Sequence, residues 1–179
     1  MNQSSSPKRF HHGLYEVHLP VTDVDRAIDF YAGKLGFVIG HGARGGSSAL
    51  LMYTDGSTRW MLGLFRVDTV VHRQAAEYHI SFRVAEEDVD RMIPYLRERG
   101  IEPVHPPTAP VQGPMTEPIV HGWMPAAAVF FKDLDGHLLE LVAELRDAPR
   151  PDVLYRPLSE WRTLVGSAVA MLDSAGPTS

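Results

Sequence analysis

The sequence of 179 residues predicts an α+β fold in which two βαβββ modules together build one pocket. Three observations favour this fold. A strand-like stretch leads into Asp-Val-Asp-Arg and an amphipathic helix after residue 22, and the same order recurs after residue 87. Short strand-like stretches follow each helix, separated by turn signals such as Gly-Gly-Ser-Ser and Asp-Gly. Internal repetition of this kind decides the architecture, so we expect two similar modules to build one site.

The first module is expected at residues 13–70, after a flexible N-terminus at 1–12. Polar and apolar residues alternate from Leu14 to Val21, which is the period of a strand. Thr22 or Asp23 then suits a helix N-cap, and an apolar helical stripe runs on until Gly36. Three further strands are expected at residues 37–39, 49–53 and 60–67.

The second module is expected at residues 77–145. It has a strand at 79–84, a helix that contains Pro94, a short strand at 101–104, and closing strands at 127–132 and 137–144. Asp135-Gly136 predicts the last hairpin turn, in which His137 is expected to be solvated. A C-terminal extension at 146–179 has no counterpart in the first module and contains a predicted helix at 158–172, capped by Ser159.

Composition limits the function. Apolar residues make up 44% and charged residues 22%, and the net charge is −5, so a nucleic acid or an anionic membrane would find no basic field. We find no apolar run near the roughly 20 residues that span a bilayer and no secretory signal. Because there is no cysteine, any metal must be held by His, Asp or Glu. We expect a cytoplasmic enzyme or binding protein.

Three strands carry ionisable side chains that the fold could bring together. Glu16 and His18 alternate along the first strand and therefore face the same way. His79 follows a tyrosine at the start of the second module, as Glu16 does in the first. Glu140 lies among apolar residues in the last strand, where a buried carboxylate needs a partner or a metal. A solvated Glu140 on an edge strand is the alternative.

The segments at 14–36, 78–100 and 129–142 resemble the vicinal oxygen chelate superfamily. The most specific part is Phe-Phe-Lys-Asp-Leu-Asp-Gly-His-Leu-Leu-Glu at 130–140. That superfamily includes glyoxalase I, fosfomycin-resistance enzymes, extradiol dioxygenases and bleomycin-resistance proteins. The resemblance implies a single domain at 13–145 in which the paired βαβββ modules form one cupped, mixed β-sheet, with a pocket around a divalent metal ion. Its ligand positions fall on Glu16, His79 and Glu140. Mn, Fe, Mg, Ni or Zn could be bound, and a set with two carboxylates favours the harder ions.

Two positions depart from the superfamily pattern. The first ligand is most often His or Gln there and is Glu16 here, and a fourth ligand would fall near Gly63 and is missing. His18 could replace Glu16 on the metal, act as a general base, or only form hydrogen bonds in the cavity. The position of the ligand in the superfamily favours His18 as the catalytic base.

Candidate substrate-binding residues are Trp60, His121 and Trp123. Trp60 could form an apolar pocket wall or pack in the core, and the loop at 121–125 could form the pocket lip or a surface turn.

The resemblance implies a metalloenzyme that binds a small oxygen-bearing molecule, with glyoxalase-like lyase or isomerase chemistry first. A ring-cleaving dioxygenase and an epoxide-opening resistance enzyme are the alternatives within this class. A metal-free drug- or metabolite-binding protein of the bleomycin-resistance type is the alternative from another class. The expected partners are a small-molecule substrate and a second copy of the chain as a homodimer, with no nucleic acid and no membrane.

Overall fold

The chain folds as the predicted α+β protein with two mixed β-sheets, and it divides into two units at residues 1–76 and 77–179. The computed structural model describes residues 15–42, 44–54, 59–69, 76–106 and 113–174, so the N-terminus expected to be flexible lies outside the described residues. Within those ranges, we find no helix with the length and hydropathy needed to cross a lipid bilayer.

The first unit contains a four-stranded sheet and one helix. Its elements are β1 (Glu16–Val21), α1 (Val24–Ile28, continued by a π-helical segment at Asp29–Lys34), β2 (Val38–Gly42), β3 (Ser48–Thr54) and β4 (Arg59–Arg66). The strand order is β1-β4-β3-β2, with β1 parallel to β4 and the other pairs antiparallel. Asp23 caps α1 as predicted, because its carboxylate accepts a hydrogen bond from the Arg26 N–H at 3.0 Å.

The two faces of this sheet differ in burial. Leu19, Leu62 and Leu64 point to the face on which α1 packs, and all three are fully buried. The alternate residues of β1 point to the opposite face, so Glu16 and His18 lie on the face away from the helix. Burial of the leucine face therefore fixes which side chains of β1 remain available for chemistry.

The described residues of the second unit form a larger sheet and two α-helices, one after the first strand and one near the C-terminus. Its elements are β5 (His79–Arg83), a 3₁₀ segment (Glu86–Arg91), α2 (Met92–Arg97), β6 (Pro103–Val104), β7 (Ile119–His121), β8 (Ala126–Lys132), β9 (Leu138–Glu144), β10 (Arg156–Pro157) and α3 (Leu158–Ser174). The strand order is β10-β7-β8-β9-β5, and β6 also pairs with β8. Only β5 and β9 run parallel.

Most predicted elements of this unit are present, and the differences have local causes. Gly136 adopts a φ of +90° in the predicted turn between β8 and β9. Pro94 falls in the first turn of α2, where its missing N–H costs no helical bond, and the turn before it is 3₁₀. Ser159 does not cap α3 but lies in its first turn, where its N–H donates to Glu117 at 2.8 Å. Strands β7 and β10 were not predicted.

Candidate functional site

In the first unit, Glu16 and His18 form a hydrogen-bonded pair on the face away from α1. Oε1 of Glu16 lies 2.7 Å from Nε2 of His18, and both side chains are about one-third exposed. Because an ionised carboxylate only accepts hydrogen bonds, Nε2 is the nitrogen that donates, and Nδ1 is the basic nitrogen of the neutral ring. The half-buried apolar side chains of Met52, Met61 and Phe65 lie on the same face of the sheet.

The ring of His18 occupies the space above Gly63. These two residues are cross-strand partners, and the ring centroid of His18 lies 4.5 Å from that of Phe65. A Cβ atom added at Gly63 would come within 2.6 Å of Cδ2 of His18 and 2.7 Å of Cε2 of Phe65. The missing side chain at 63, where the resemblance places a fourth ligand, is therefore what allows the imidazole to lie here.

Trp60 points to the opposite face of this sheet from Glu16 and His18. It neighbours Met61, the cross-strand partner of Glu16, so its side chain alternates to the other side. On that face, the ring centroid of Trp60 lies 5.3 Å from that of Tyr53 and 5.7 Å from that of Phe37. The structure does not bring Trp60 to the Glu16–His18 pair, and its predicted contact with substrate stays a prediction.

In the second unit, the parallel register of β5 and β9 brings three polar residues together. Ser81 is the cross-strand partner of Glu140, and His79 lies one step along the same face. Glu140 is buried at 7% exposure, whereas the His79 side chain is 48% exposed. The hydroxyl of Ser81 donates to Oε2 of Glu140, and Nε2 of His79 lies 3.2 Å from the same oxygen.

The hydrogen bonds of His79 decide which nitrogen faces Glu140. Its Nδ1 lies 3.0 Å from the carbonyl oxygen of Leu138, which can only accept, so Nδ1 carries a proton. In a neutral ring, Nε2 then presents a lone pair to the carboxylate oxygen of Glu140. A cation bound between these two acceptors would satisfy both, and the Ser81 hydroxyl also lies 3.4 Å from Nε2. Metal-binding histidines commonly donate their other N–H to a backbone carbonyl in this way.

His121 lies on the same sheet face as this cluster. It is the partner of Ala126 on β8, Phe130 is the partner of Glu140, and both β8 residues share one side. Burial lowers the pKa of His121 below its usual value, and the nearby negative charge of Glu140 opposes this shift. Phe130 stacks against the ring of His79 with centroids 6.0 Å apart. The face therefore combines the Glu140 carboxylate with two imidazoles and an aromatic ring, and the Arg83–Glu144 ion pair lies on it as well.

Two other residues lie outside this cluster. Trp123 is in the turn between β7 and β8 and is 52% exposed, so its predicted contact with substrate stays a prediction. His137 was expected to be solvated, and this is wrong, because it is 1% exposed. Its Nδ1 accepts a hydrogen bond from the Tyr78 N–H at 3.1 Å and thereby ties the start of β5 to the turn before β9. A turn sequence alone contains no signal for such burial.

Metal-binding groups occur as pairs in the described ranges. Across those ranges, no three His, Asp or Glu side chains converge to hold an ion. His79 and Glu140 fit a metal by their donor types, by the orientation of His79 and by the burial of Glu140. Glu16, the third expected ligand, belongs to the first unit, where it is hydrogen-bonded to His18.

The sequence pattern of the Glyoxalase/Bleomycin resistance protein/Dioxygenase superfamily matches residues 9–141. The chain belongs to this superfamily. The resemblance to vicinal oxygen chelate proteins is thereby confirmed. This superfamily contains enzymes as well as proteins that only bind small molecules, so membership leaves the reaction open.

Solved structures support the fold. An integron cassette protein from the mobile metagenome of the Halifax Harbour sewage outfall is 26% identical, and the match covers 73% of this chain and 97% of that one with a TM-score of 0.55. A lactoylglutathione lyase from Agrobacterium tumefaciens is 18% identical over 75% and 96% of the two chains, with a TM-score of 0.55. TnmS3, an antibiotic-binding protein from Streptomyces sp. CB03234, is 21% identical over 77% and 100%, with a TM-score of 0.51. No curated protein matches the chain.

Replacement of Gly63 tests whether the His18 ring packs directly over the backbone of residue 63. Gly63→Ala inserts a methyl group into His18 and Phe65, and overpacking of this kind costs about 1–3 kcal/mol of unfolding free energy. Gly33→Ala is the matched control, because its Cβ meets nothing within 4 Å, and a stabilisation of about 0.4–1 kcal/mol is expected. Denaturant unfolding measures both variants. An unchanged stability of Gly63→Ala would contradict the packing described here.

The pH dependence of His121 tests its burial beside Glu140. Since the pKa of His121 is lowered in the folded state, the neutral ring contributes stability that is complete above pH of about 6.5 and is lost as the pH falls through the folded pKa. Proton NMR titration in chelator-treated protein should show His121 titrating below its usual range. Glu140→Gln should lower this pKa further, because the opposing negative charge is gone. A pKa of His121 that rises in Glu140→Gln is the contrary result.

Proposed function

We propose that this protein is a metal-dependent enzyme that acts on a small oxygen-bearing substrate, with glyoxalase-like lyase or isomerase chemistry as the first candidate. The observation that supports this proposal is the His79–Glu140 pair. A buried carboxylate and an imidazole whose Nδ1 faces the Leu138 carbonyl lie 3.2 Å apart, so a cation could bind between them. Membership of the superfamily makes a divalent metal the natural cation for this place.

His79 and Glu140 would hold the metal, and neighbouring groups would orient them. The Leu138 carbonyl fixes the ring of His79, and the Ser81 hydroxyl fixes the carboxylate of Glu140. A divalent metal supplies Lewis-acid stabilisation of negative charge on adjacent substrate oxygens. Mn²⁺ and Fe²⁺ suit a ligand set that mixes imidazole and carboxylate. The identity of the metal and the role of Glu16 as a ligand stay predictions.

His18 is the proposed proton acceptor. Its Nε2 lies 2.7 Å from Oε1 of Glu16, and a neutral imidazole can take a proton from a substrate carbon or water. The imidazolium formed in this step is stabilised by the Glu16 carboxylate at 2.7 Å. We infer that Glu16 orients His18 and offsets its charge, as a carboxylate does for the histidine of a catalytic triad.

A metal-free binding protein is the second candidate, and two observations favour it. Among the described residues, no three metal-binding side chains converge. The first unit presents the half-exposed apolar side chains of Met52, Met61 and Phe65 on the face of the Glu16–His18 pair. Thioether and aromatic side chains of this kind adapt to the surface of an apolar ligand. The similarity to an antibiotic-binding protein in fold is consistent with this candidate.

The remaining predictions concern the substrate-binding residues, the alternative reactions, the oligomeric state and the cellular location. Trp60, His121 and Trp123 stay candidate substrate-binding residues, and ring cleavage and epoxide opening stay the alternative reactions. The homodimer and the cytoplasmic location stay predictions as well.

Metal content of the purified protein tests the leading proposal. Protein purified without chelator and reloaded with Mn²⁺ or Fe²⁺ should contain about one ion per chain, and Glu140→Gln should lose most of it, because removal of one ligand weakens the site by at least 10–100-fold. Elemental analysis after gel filtration measures the stoichiometry.

Glu144→Gln is the matched control for this experiment. Glu144 lies on the same strand and the same face as Glu140, but its side chain is 66% exposed and pairs with Arg83. This variant should keep its metal. Wild-type protein that folds, holds no metal under these conditions and binds an aromatic ligand would favour the binding protein over the enzyme.

A further inference from the structure

The C-terminal extension lies along β7 and adds an edge strand to the sheet of the second unit. The Arg150 N–H donates to the carbonyl of Gly122 at 2.7 Å, residues 156–157 pair with 119–120 as β10, and the Leu158 N–H donates to Pro118 at 2.9 Å. A Cβ added at Gly122 would come within 2.6 Å of the Val153 carbonyl oxygen. The chain from 150 to 158 therefore runs antiparallel to 118–122 in close contact with it.

Two side-chain contacts hold the extension, the first within it and the second to the 3₁₀ segment before α2. Trp161 is fully buried at the start of α3, and its indole N–H donates to Asp147 at 2.7 Å. Arg162, on the next position, donates two hydrogen bonds to the carboxylate of Asp90, at 2.9 and 2.8 Å. The segment between these anchors and β9 is consequently held in one place and can present a side chain reproducibly.

The side chain that the extension presents to the site is Tyr155. Its ring meets the ring of His121 edge-on, with centroids 4.9 Å apart and planes at 67°. His121 shares its sheet face with Glu140, whose charge acts on it. Over the described ranges of the chain, neither the Tyr155 hydroxyl nor the ring nitrogens of His121 have a hydrogen-bond partner. The side chains of Tyr155 and His121 therefore offer two half-buried polar groups that can form hydrogen bonds with a ligand on this face.

We propose that the extension completes the ligand site of the second unit, with Tyr155 as a residue that contacts the ligand and sets its specificity. This inference rests on the proposed function, in which His79 and Glu140 serve the oxygen-bearing end of the ligand. The superfamily pattern ends at residue 141, so Tyr155 belongs to a part of the chain outside that pattern.

The chemistry of the face defines the class of ligand. Polar groups lie toward its two ends, at His121 and Tyr155 on one side and at Glu140 on the other, and β8 places the small Ala126 and Ala128 between them. A planar ring can pack against the rings of His121 and Tyr155. A hydrogen-bond acceptor on that ring can accept a hydrogen bond from the Tyr155 hydroxyl. The ligand is therefore an unsaturated or aromatic molecule with adjacent oxygens at one end and a hydrogen-bond acceptor at the other.

Binding of 4-nitrocatechol to the full-length, Mn²⁺-loaded protein tests the inference, because this probe has adjacent oxygens, a ring and a nitro acceptor. Tyr155→Phe keeps the ring and removes one hydrogen bond, so we expect roughly fivefold weaker binding. Tyr155→Ala also removes the ring contact, so we expect a loss of about tenfold or more. Absorbance titration gives the dissociation constants, and Mn²⁺ affinity and the melting temperature are measured for each variant.

Leu154→Ala is the matched control, since Leu154 is the neighbouring residue and is 65% exposed. It should bind the probe as wild type does. Equal probe affinity in wild type and both Tyr155 variants overturns the inference, and so does a wild-type protein that does not bind the probe. The proposed function fails separately: protein that takes up no Mn²⁺ but binds the probe in a Tyr155-dependent way keeps the inference and loses the metalloenzyme.

Discussion

The parallel pairing of β5 with β9 is the constraint on which the chemistry of the second unit depends. It places Ser81 opposite Glu140, although the two residues are 59 positions apart in sequence. A slip by one residue would turn Glu140 toward the face that carries the buried Leu139 and Phe131, where its charge would lack these partners. Burial of the apolar side chains on one face therefore fixes the pairing register that brings the polar side chains together on the other face. In the first unit, the parallel pair β1 and β4 does the same for His18 and the glycine opposite it.

Glu140 is a buried carboxylate whose desolvation is offset by the groups around it. A carboxylate withdrawn from water needs hydrogen bonds and a nearby positive charge. Ser81 supplies a hydrogen bond, and Nε2 of His79 lies 3.2 Å from the same oxygen. The Leu138 carbonyl fixes the orientation of the His79 ring. In the proposed function, this fixed pair would bind the cation without rearrangement, which is the preorganisation that electrostatic catalysis requires.

The elements that depend on neighbouring residues alone could be predicted from the sequence. Alternation revealed β1, an acidic cap marked the start of α1 at Asp23, and Asp-Gly marked the turn between β8 and β9. What depends on distant partners could not be predicted. Strands β7 and β10 are three and two residues long and exist because each pairs with another segment. Trp60 was a candidate wall residue, and only the pairing register shows that its neighbour Met61 shares a face with Glu16 instead. His137 is buried by Tyr78 and its surroundings, which no turn motif encodes.

The short strand β10 also has a consequence for how the protein behaves in a crowded solution. A sheet edge with unpaired N–H and carbonyl groups is a template on which another chain can add a strand. Here the extension lies over the β7 edge of the second sheet, and a two-residue strand then forms that border. Such a border offers a passing strand very little to pair with. The same segment that carries Tyr155 thus also protects the second unit against edge-to-edge aggregation, and a substitution that loosened it would expose β7 to both solvent and other chains.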